Sequence, residues 1–325
     1  MMFLFGKKPL ARVALNMRPR RSSYGGGNQW LTQTAAYLKS YGYAVQYDLT
    51  PDVDLVLGTH AGLNGELSFS YDDVLTAKKR NPKLRCIQRI NDCDLRKKSA
   101  EMDGILEKAN AAADYTVFIS EWLRDYFVER WFDPSQPHSV IYNGADPLIY
   151  HPIGSPGQPA AGEPFRIVTH HWSDNPMKGF DVYEQLDSLI ADGTLKGFEF
   201  VVIGRWPARI KWRSAKTLPP MNGEKLATEL RKCHLYLTAS LWEPCGMHHV
   251  EGAQCGLPLL YHADGGGINE AGRRYGLEFR DDLAERLQEM KTRFPEFRQK
   301  VLSVPPSGDL MSLEFRRLVQ SQLCQ

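Results

Sequence analysis

Short apolar runs alternate with helix-length segments along this chain of 325 residues, and the alternation runs twice. That rhythm restricts the fold to an α/β protein with parallel sheets, because a parallel strand pair needs a long crossover, usually a helix. The runs at 11–16, 44–47, 55–57, 86–90, 116–119 and 139–141 are expected to be strands of a first domain. Helices fit between them, notably over 29–41 and 121–131. The Gly-, Pro- and Ala-rich stretch 153–164, just ahead of the restart, reads as an interdomain linker. Strands are then expected at 166–169, 199–203, 216–218, 235–238 and 259–261, with helices at 179–191 and 223–232. The chain length suits two domains better than one.

Composition removes several function classes. With 42% hydrophobic and 24% charged residues the chain can bury ordinary cores. A formal net charge of +2 supplies no basic face for nucleic acid. The six cysteines form no Cys-x-x-Cys and no paired-His zinc spacing, which reads as reduced thiols in a cytosolic protein. The apolar start at 1–5 breaks at Gly6-Lys7-Lys8-Pro9, far short of a signal peptide, and no stretch approaches a membrane span. The expectation is a cytoplasmic protein, with peripheral attachment to a membrane left open.

The segment 241–270, LWEPCGMHHVEGAQCGLPLLYHADGGGINE, carries the densest chemistry. Pro244 and Gly246 suit a loop entering a helix, since proline tolerates the first helical turn and glycine allows close backbone approach. A helix is expected over 247–254, ending at Cys255-Gly256, with Pro258 preventing its continuation. Residues 259–261 then read as a buried strand, and Gly265-Gly266-Gly267 as the loop beyond its carboxyl end. A helix start offers unpaired N–H groups and a positive dipole end, which suits a diphosphate. Glu243 lies before that start and Glu251 about two turns inside it, so their carboxylates stand roughly 10–12 Å apart. That is too far to share one proton and suited to holding two ends of one long ligand. On spacing alone, two ordinary surface glutamates explain the pattern equally well.

The combination is more specific. Glu-Pro-x-Gly at 243–246, a second Glu at 251, Cys-Gly-Leu-Pro at 255–258 and Gly-Gly-x-x-Glu at 266–270 together resemble the donor-site motif of retaining glycosyltransferases of the GT-B fold, the large family 4 group. The resemblance implies that Glu243 contacts sugar hydroxyls. It implies that the backbone N–H groups of Cys245, Gly246 and Met247 face the sugar and phosphates. Glu251 would accept hydrogen bonds from the ribose hydroxyls.

Other positions are read beside it. Gly25, Gly26 and Gly27 lie between a strand and a helix, where they allow close backbone approach to a phosphate or sugar. A plain flexible loop is the alternative; the placement matches the glycine loop that closes over the donor in that family. Lys178 of Lys-Gly maps onto the family's diphosphate clamp, but the arginine most relatives place before it is missing here. His170, His171 or Arg205 are the candidates to replace that cation, against a reading of the two histidines as a solvated loop pair. His60 lies where relatives often carry a histidine near the acceptor and the anomeric carbon; a lone histidine is otherwise a cap or packing residue. Ser120 suits a helix cap and Asn143-Gly144 a turn. Trp122, Tyr126, Phe127, Trp131 and Phe132 form either core or a membrane-facing patch. The Asp-x-Asp triplets at 52–54 and 92–94 spell the metal motif of the other glycosyltransferase fold and are read as chance; no metal site is expected.

The resemblance therefore implies two doubly wound, Rossmann-like domains facing a central cleft. The acceptor-side domain would span 1–152, with the C-terminal helical stretch 312–325 packing back on it. Residues 153–164 would link it to a nucleotide-sugar domain over 165–311. The expected activity is metal-independent, retaining transfer of one sugar from a nucleotide diphosphate sugar to a hydroxyl of a carbohydrate or lipid-linked acceptor. Glu243, Lys178 and His60 are the expected catalytic residues, and the sugar nucleotide is a co-substrate rather than a cofactor. A glycosyltransferase-like pseudoenzyme that only binds sugar nucleotides, and a GT-B sugar-nucleotide epimerase, are the alternatives. Donor base, acceptor and oligomeric state are not encoded legibly.

Overall fold

Twelve strands fall into two six-stranded sheets, parallel throughout, among the residues described by the computed structural model, 8–20, 26–59 and 67–325. The first sheet holds β1 (Arg12–Leu15), β2 (Ala44–Gln46), β3 (Leu55–Gly58), β4 (Arg85–Ile90), β5 (Tyr115–Phe118) and β6 (His138–Val140), in the order β2-β1-β3-β4-β5-β6. Its inner strands are buried on both faces, which is why they read as continuous apolar runs rather than alternating ones. Around it lie α1 (Gly26–Ser40), α2 (Tyr71–Arg80), α3 (Asp94–Lys97), α4 (Met102–Asn110) and α5 (Glu121–Val128).

The second sheet holds β7 (Phe165–His171), β8 (Phe198–Gly204), β9 (Lys216–Leu218), β10 (Leu235–Thr238), β11 (Leu259–His262) and β12 (Gly276–Phe279), in the order β12-β11-β10-β7-β8-β9. That is the classical doubly wound order, with its reversal between β7 and β10. Its helices are α6 (Phe180–Ala191), α7 (Gly223–Leu230), α8 (Met247–Gln254), α9 (Ile268–Tyr275), α10 (Leu283–Thr292), α11 (Phe294–Ser303) and α12 (Gly308–Leu323). Helix α8 has the bounds that Gly246 and Gly256 predict, and all eight of its residues are buried. Helix α12 leaves the second sheet and packs on α1, where Phe315 meets Trp30 edge-on with ring centroids 5.1 Å apart.

One expectation needs correction, and one open alternative is decided. Helix α1 begins at Gly26, so Gly26 and Gly27 form its first turn instead of a preceding loop. Tyr126, Phe127 and Phe132 are buried, and Trp122 and Trp131 pack partly buried against the same cluster. That aromatic run is core, because each ring finds another within the cluster, and it offers no membrane-facing patch. Among the described residues no helix is long and apolar enough to cross a membrane.

Candidate active site

The reversal of strand order leaves a crevice beyond the carboxyl ends of β7 and β10, the usual ligand position in such sheets. His170 and His171 close β7, and Leu241–Glu243 follows β10. A cavity of about 790 Å³ opens here, lined from the second half by His170, His171, Trp172, Lys178, Arg205, Glu243, Gly246, Met247 and His248. Gly26, Gln29 and Arg96 line it from the first half. The size falls within the ~300–1,000 Å³ typical of small-molecule sites.

Backbone contacts set Glu243 in place. The N–H of Trp242 donates to Asp264 O at 2.8 Å and that of Glu243 to Gly265 O at 3.1 Å, so the glycine turn grips the Glu-Pro-x-Gly turn. Trp242 is held at φ 46°, a left-handed conformation that costs a bulky residue on the order of 1–3 kcal/mol. A Cβ on Gly267 would collide with the Pro244 carbonyl, so only glycine allows this approach. The N–H of Leu241 donates to Met177 O at 2.8 Å and ties in the 3-10 turn Pro176–Lys178. Lys178 Nζ thereby reaches Glu243 Oε2 at 2.7 Å.

A second cation arrives from the other half. Arg96 Nε donates to the same oxygen at 2.9 Å, with both side chains mostly buried. Arg96 sits on α3, which the Asp94 carboxylate anchors by accepting from the N–H groups of Glu101, Met102 and Asp103. Burial alone would raise the Glu243 pKa; Arg96 and Lys178 more than offset it and hold the carboxyl well below its usual range. Burial lowers the Lys178 pKa, and Glu243 restores part of that loss. With Arg205 the cavity wall carries three cations against one carboxylate among the described residues.

Helix α8 starts at Met247 with no side-chain cap at Gly246, and Gly246, Met247 and His248 line the cavity, so the N-terminal end of the helix borders it. Gly26, in the first turn of α1, comes so close to Met247 that an added Cβ would lie 2.6 Å from its Cγ. Two helix N-termini therefore converge here and add positive potential. Cys245 is buried, and its carbonyl accepts from Asn143 Nδ2 at 2.7 Å.

Glu251 behaves differently from Glu243. Its side chain is 0% exposed, with Oε1 accepting from Gln29 Nε2 at 2.7 Å and Oε2 lying 2.8 Å from His170 Nε2. His171 Nε2 turns to Thr169 Oγ1 and Tyr183 OH, at 3.0 and 2.9 Å, and burial drives its pKa well below the ordinary value. The neutral ring brings no charge in place of the absent arginine. Arg205 lines the mouth and donates to Trp172 O at 2.9 Å. His60 and Gly25 lie outside the described residues.

The two Asp-x-Asp triplets serve local structure. Asp92 pairs with Lys97 at 3.0 Å, Asp94 anchors α3, and Asp52 and Asp54 engage Arg12. Among the described residues no group of three His, Cys, Asp or Glu side chains could hold a metal ion. The site residues that sequence reasoning missed are Arg96, Gln29 and His248. Arg96 lay in plain view beside the triplet at 92–94, but no local pattern marks an arginine whose partner is 147 positions away.

The architecture is GT-B: two Rossmann-like domains with the crevice between them. It is shared with sucrose-phosphate synthase from Thermosynechococcus elongatus (TM-score 0.70, 14% identity, covering 97% of this chain and 99% of that one). Anabaena HepE in complex with UDP-glucose is similar at TM-score 0.67 and 13% identity, over 95% and 99% of the two chains. The catalytic domain of starch synthase IV from Arabidopsis thaliana, bound to ADP and acarbose, gives TM-score 0.67 at 11% identity, over 98% and 100%. No protein-family model and no curated protein sequence matches the chain.

Proposed function

We propose that this protein is a retaining glycosyltransferase that moves one sugar from a nucleotide diphosphate sugar to an acceptor hydroxyl. The observation that carries the reading is the Lys178–Glu243–Arg96 cluster, set beside the uncapped start of α8 in the 790 Å³ cavity. Cations and N–H groups are what a leaving diphosphate needs, because catalysis of this transfer rests on stabilising charge that develops in the transition state. Likeness to structures holding UDP-glucose and ADP supports a diphosphate ligand.

In this reading Lys178, Arg96 and the N–H groups of Gly246 and Met247 receive the diphosphate, with Arg205 at the mouth. Glu243 turns to the sugar hydroxyls, and Glu251 takes the ribose once Gln29 withdraws. The bond from the anomeric carbon to the phosphate oxygen breaks, its electron pair leaving with the diphosphate. The acceptor hydroxyl forms the new bond on the same face and passes its proton to the departing phosphate oxygen. Closure of the two halves excludes water and limits hydrolysis.

A thermal-shift panel of UDP, GDP, ADP and CMP with their sugar conjugates, with and without magnesium, tests this. A ligand that binds only the folded state raises the melting temperature according to its concentration over Kd. A magnesium-independent rise with one diphosphate family, lost in Glu251→Ala, is the expected result. No rise with any of them would count against the donor site.

A further inference from the structure

A second cavity, of about 330 Å³, lies on the first-half side of Glu243 and shares Gly26, Arg96, Glu243, Gly246 and Met247 with the larger one. Its wall carries Arg20, Arg89, Arg96 and Lys97 against Asp92 and Glu243. Lys97 pairs with Asp92 at 3.0 Å and Arg96 with Glu243 at 2.9 Å. Arg89 has no carboxylate partner among the described residues.

Arg89 projects from β4 and is 2% exposed. Its guanidinium lies over the Trp30 ring, 4.5 Å from the centroid. It donates to two neutral oxygens, Asn143 Oδ1 at 2.8 Å and Thr59 Oγ1 at 3.4 Å, and its Nε has no partner among the described residues. Burial pulls its pKa down to about 9. A buried cation without a counter-ion is costly, and packing alone would favour an apolar side chain of the same volume. Here the cation borders the cavity next to the proposed reacting centre, where an anion would complete both the charge and the hydrogen bonds.

We propose that the 330 Å³ cavity receives the reacting end of an acceptor bearing an anionic group, a phosphate monoester or a carboxylate, bound through Arg89. The inference rests on the glycosyltransferase reading and adds the acceptor class to it. The planar fork of arginine matches both anions, and Lys97 and Arg20 add positive potential at the wall. The volume lies at the lower end of the ~300–1,000 Å³ range and suits one sugar-sized unit. Such an anion would orient the acceptor hydroxyl toward the sugar carbon beside Glu243.

The test uses wild-type protein saturated with whichever nucleotide diphosphate raises its melting temperature, so that the donor cations are already occupied. Failure of every diphosphate removes the glycosyltransferase reading, and this inference with it. With the diphosphate bound, inorganic phosphate is titrated against potassium chloride of equal ionic strength. Phosphate should raise the melting temperature further in wild type and not in Arg89→Met. No rise in wild type, or an equal rise in the variant, overturns the proposal.

Matched acceptors then separate the two anions: glucose 6-phosphate against glucose, and glucuronate against its methyl ester, with nucleotide release as the readout. The anionic member of at least one pair should give kcat/KM on the order of thirtyfold higher, an advantage carried by KM and lost in Arg89→Met. Arg89→Lys should recover part of it. Neutral acceptors that perform as well as anionic ones overturn the proposal. Arg89→Met should also melt no lower than wild type; a lower melting temperature with the anionic preference intact would make Arg89 a packing residue only.

Discussion

Arg96 Nε and Glu243 Oε2 stand 2.9 Å apart, and this contact joins the two halves of the molecule at the centre of the candidate site. Lys178 Nζ approaches the same oxygen from within the second half at 2.7 Å. One carboxylate thus gathers two cations where a diphosphate would need them. In the proposed reaction, an arriving phosphate draws both cations and frees Glu243 for the sugar.

Glu243→Gln keeps the shape and removes the charge, leaving two mostly buried cations without their counter-ion. Stability should fall by about 3–5 kcal/mol, as when one partner of a buried ion pair is lost. Transfer should fall on the order of a hundredfold or more, while nucleotide diphosphate binds at least as tightly as before. Denaturant melts, release assays and thermal shifts check the three parts. Retained transfer would remove Glu243 from the site.

Gln29 donates to Glu251 Oε1 from the opposite half at 2.7 Å, so in the proposed reading a ribose that takes this oxygen displaces Gln29. Gln29→Ala should cost the ligand-free protein about 1.5–3 kcal/mol, the worth of a hydrogen bond to a charged group. The same change should tighten nucleotide diphosphate binding severalfold, because the competing donor is gone. Calorimetric titration checks the sign: weaker binding would mean that Gln29 contacts the ligand itself.

Glu270, on α9, caps a helix of the other half. Its carboxylate accepts from the N–H groups of Glu121 and Trp122 at 3.1 and 2.7 Å and from Tyr142 OH at 2.6 Å. Ser120 caps the Leu123 N–H, so Glu270→Ala frees the N–H groups of Glu121 and Trp122 at the positive end of α5 and should destabilise the protein by about 1–2 kcal/mol. Amide exchange at Glu121 and Trp122 should quicken in the variant, and an unchanged rate there would contradict the capping role.

Four buried histidines set the acid side of stability. Burial lowers the pKa of His234 and His249 to about 4, and holds those of His171 and His248 well below the ordinary value. Each stays neutral in the fold while the unfolded chain takes up a proton near pH 6.5, so the unfolded state binds more protons below that pH. Stability from these groups is fully present above about pH 6.5 and is lost as pH falls toward 4, by at most about 1.4 kcal/mol per pH unit for each. Glu243 adds a loss of the same sign below its own unfolded pKa, near 4.5. Melting temperatures should hold from pH 7.5 to about 6.5 and decline from there to pH 5; a flat profile across the whole range would contradict this.

Local patterns carried much of the architecture. Pro244, Gly246, Gly256 and Pro258 delimit α8 through preferences that act within a few residues, and the doubled rhythm of apolar runs marks two parallel sheets. The short β12 escaped notice because Gly276–Phe279 has no continuous apolar run, and its backbone is recruited by pairing with β11. The first turn of α1 escaped because glycine disfavours helix in isolation; packing against Met247 decides it here.

The chain by itself determined where most strands and several helices form, and that a Glu-Pro-x-Gly turn would stand before a helix over 247–254. Those outcomes follow from backbone sterics and hydrophobic periodicity, which are properties of neighbours in sequence. Tertiary structure alone decided that Arg96 meets Glu243, that Gln29 covers Glu251, and that Arg89 is buried without an acid among the described residues. Charge and hydrogen-bond partnership depend on distance in space, and the closure of one half on the other brings those residues within 3 Å of partners far along the chain, or leaves them without one.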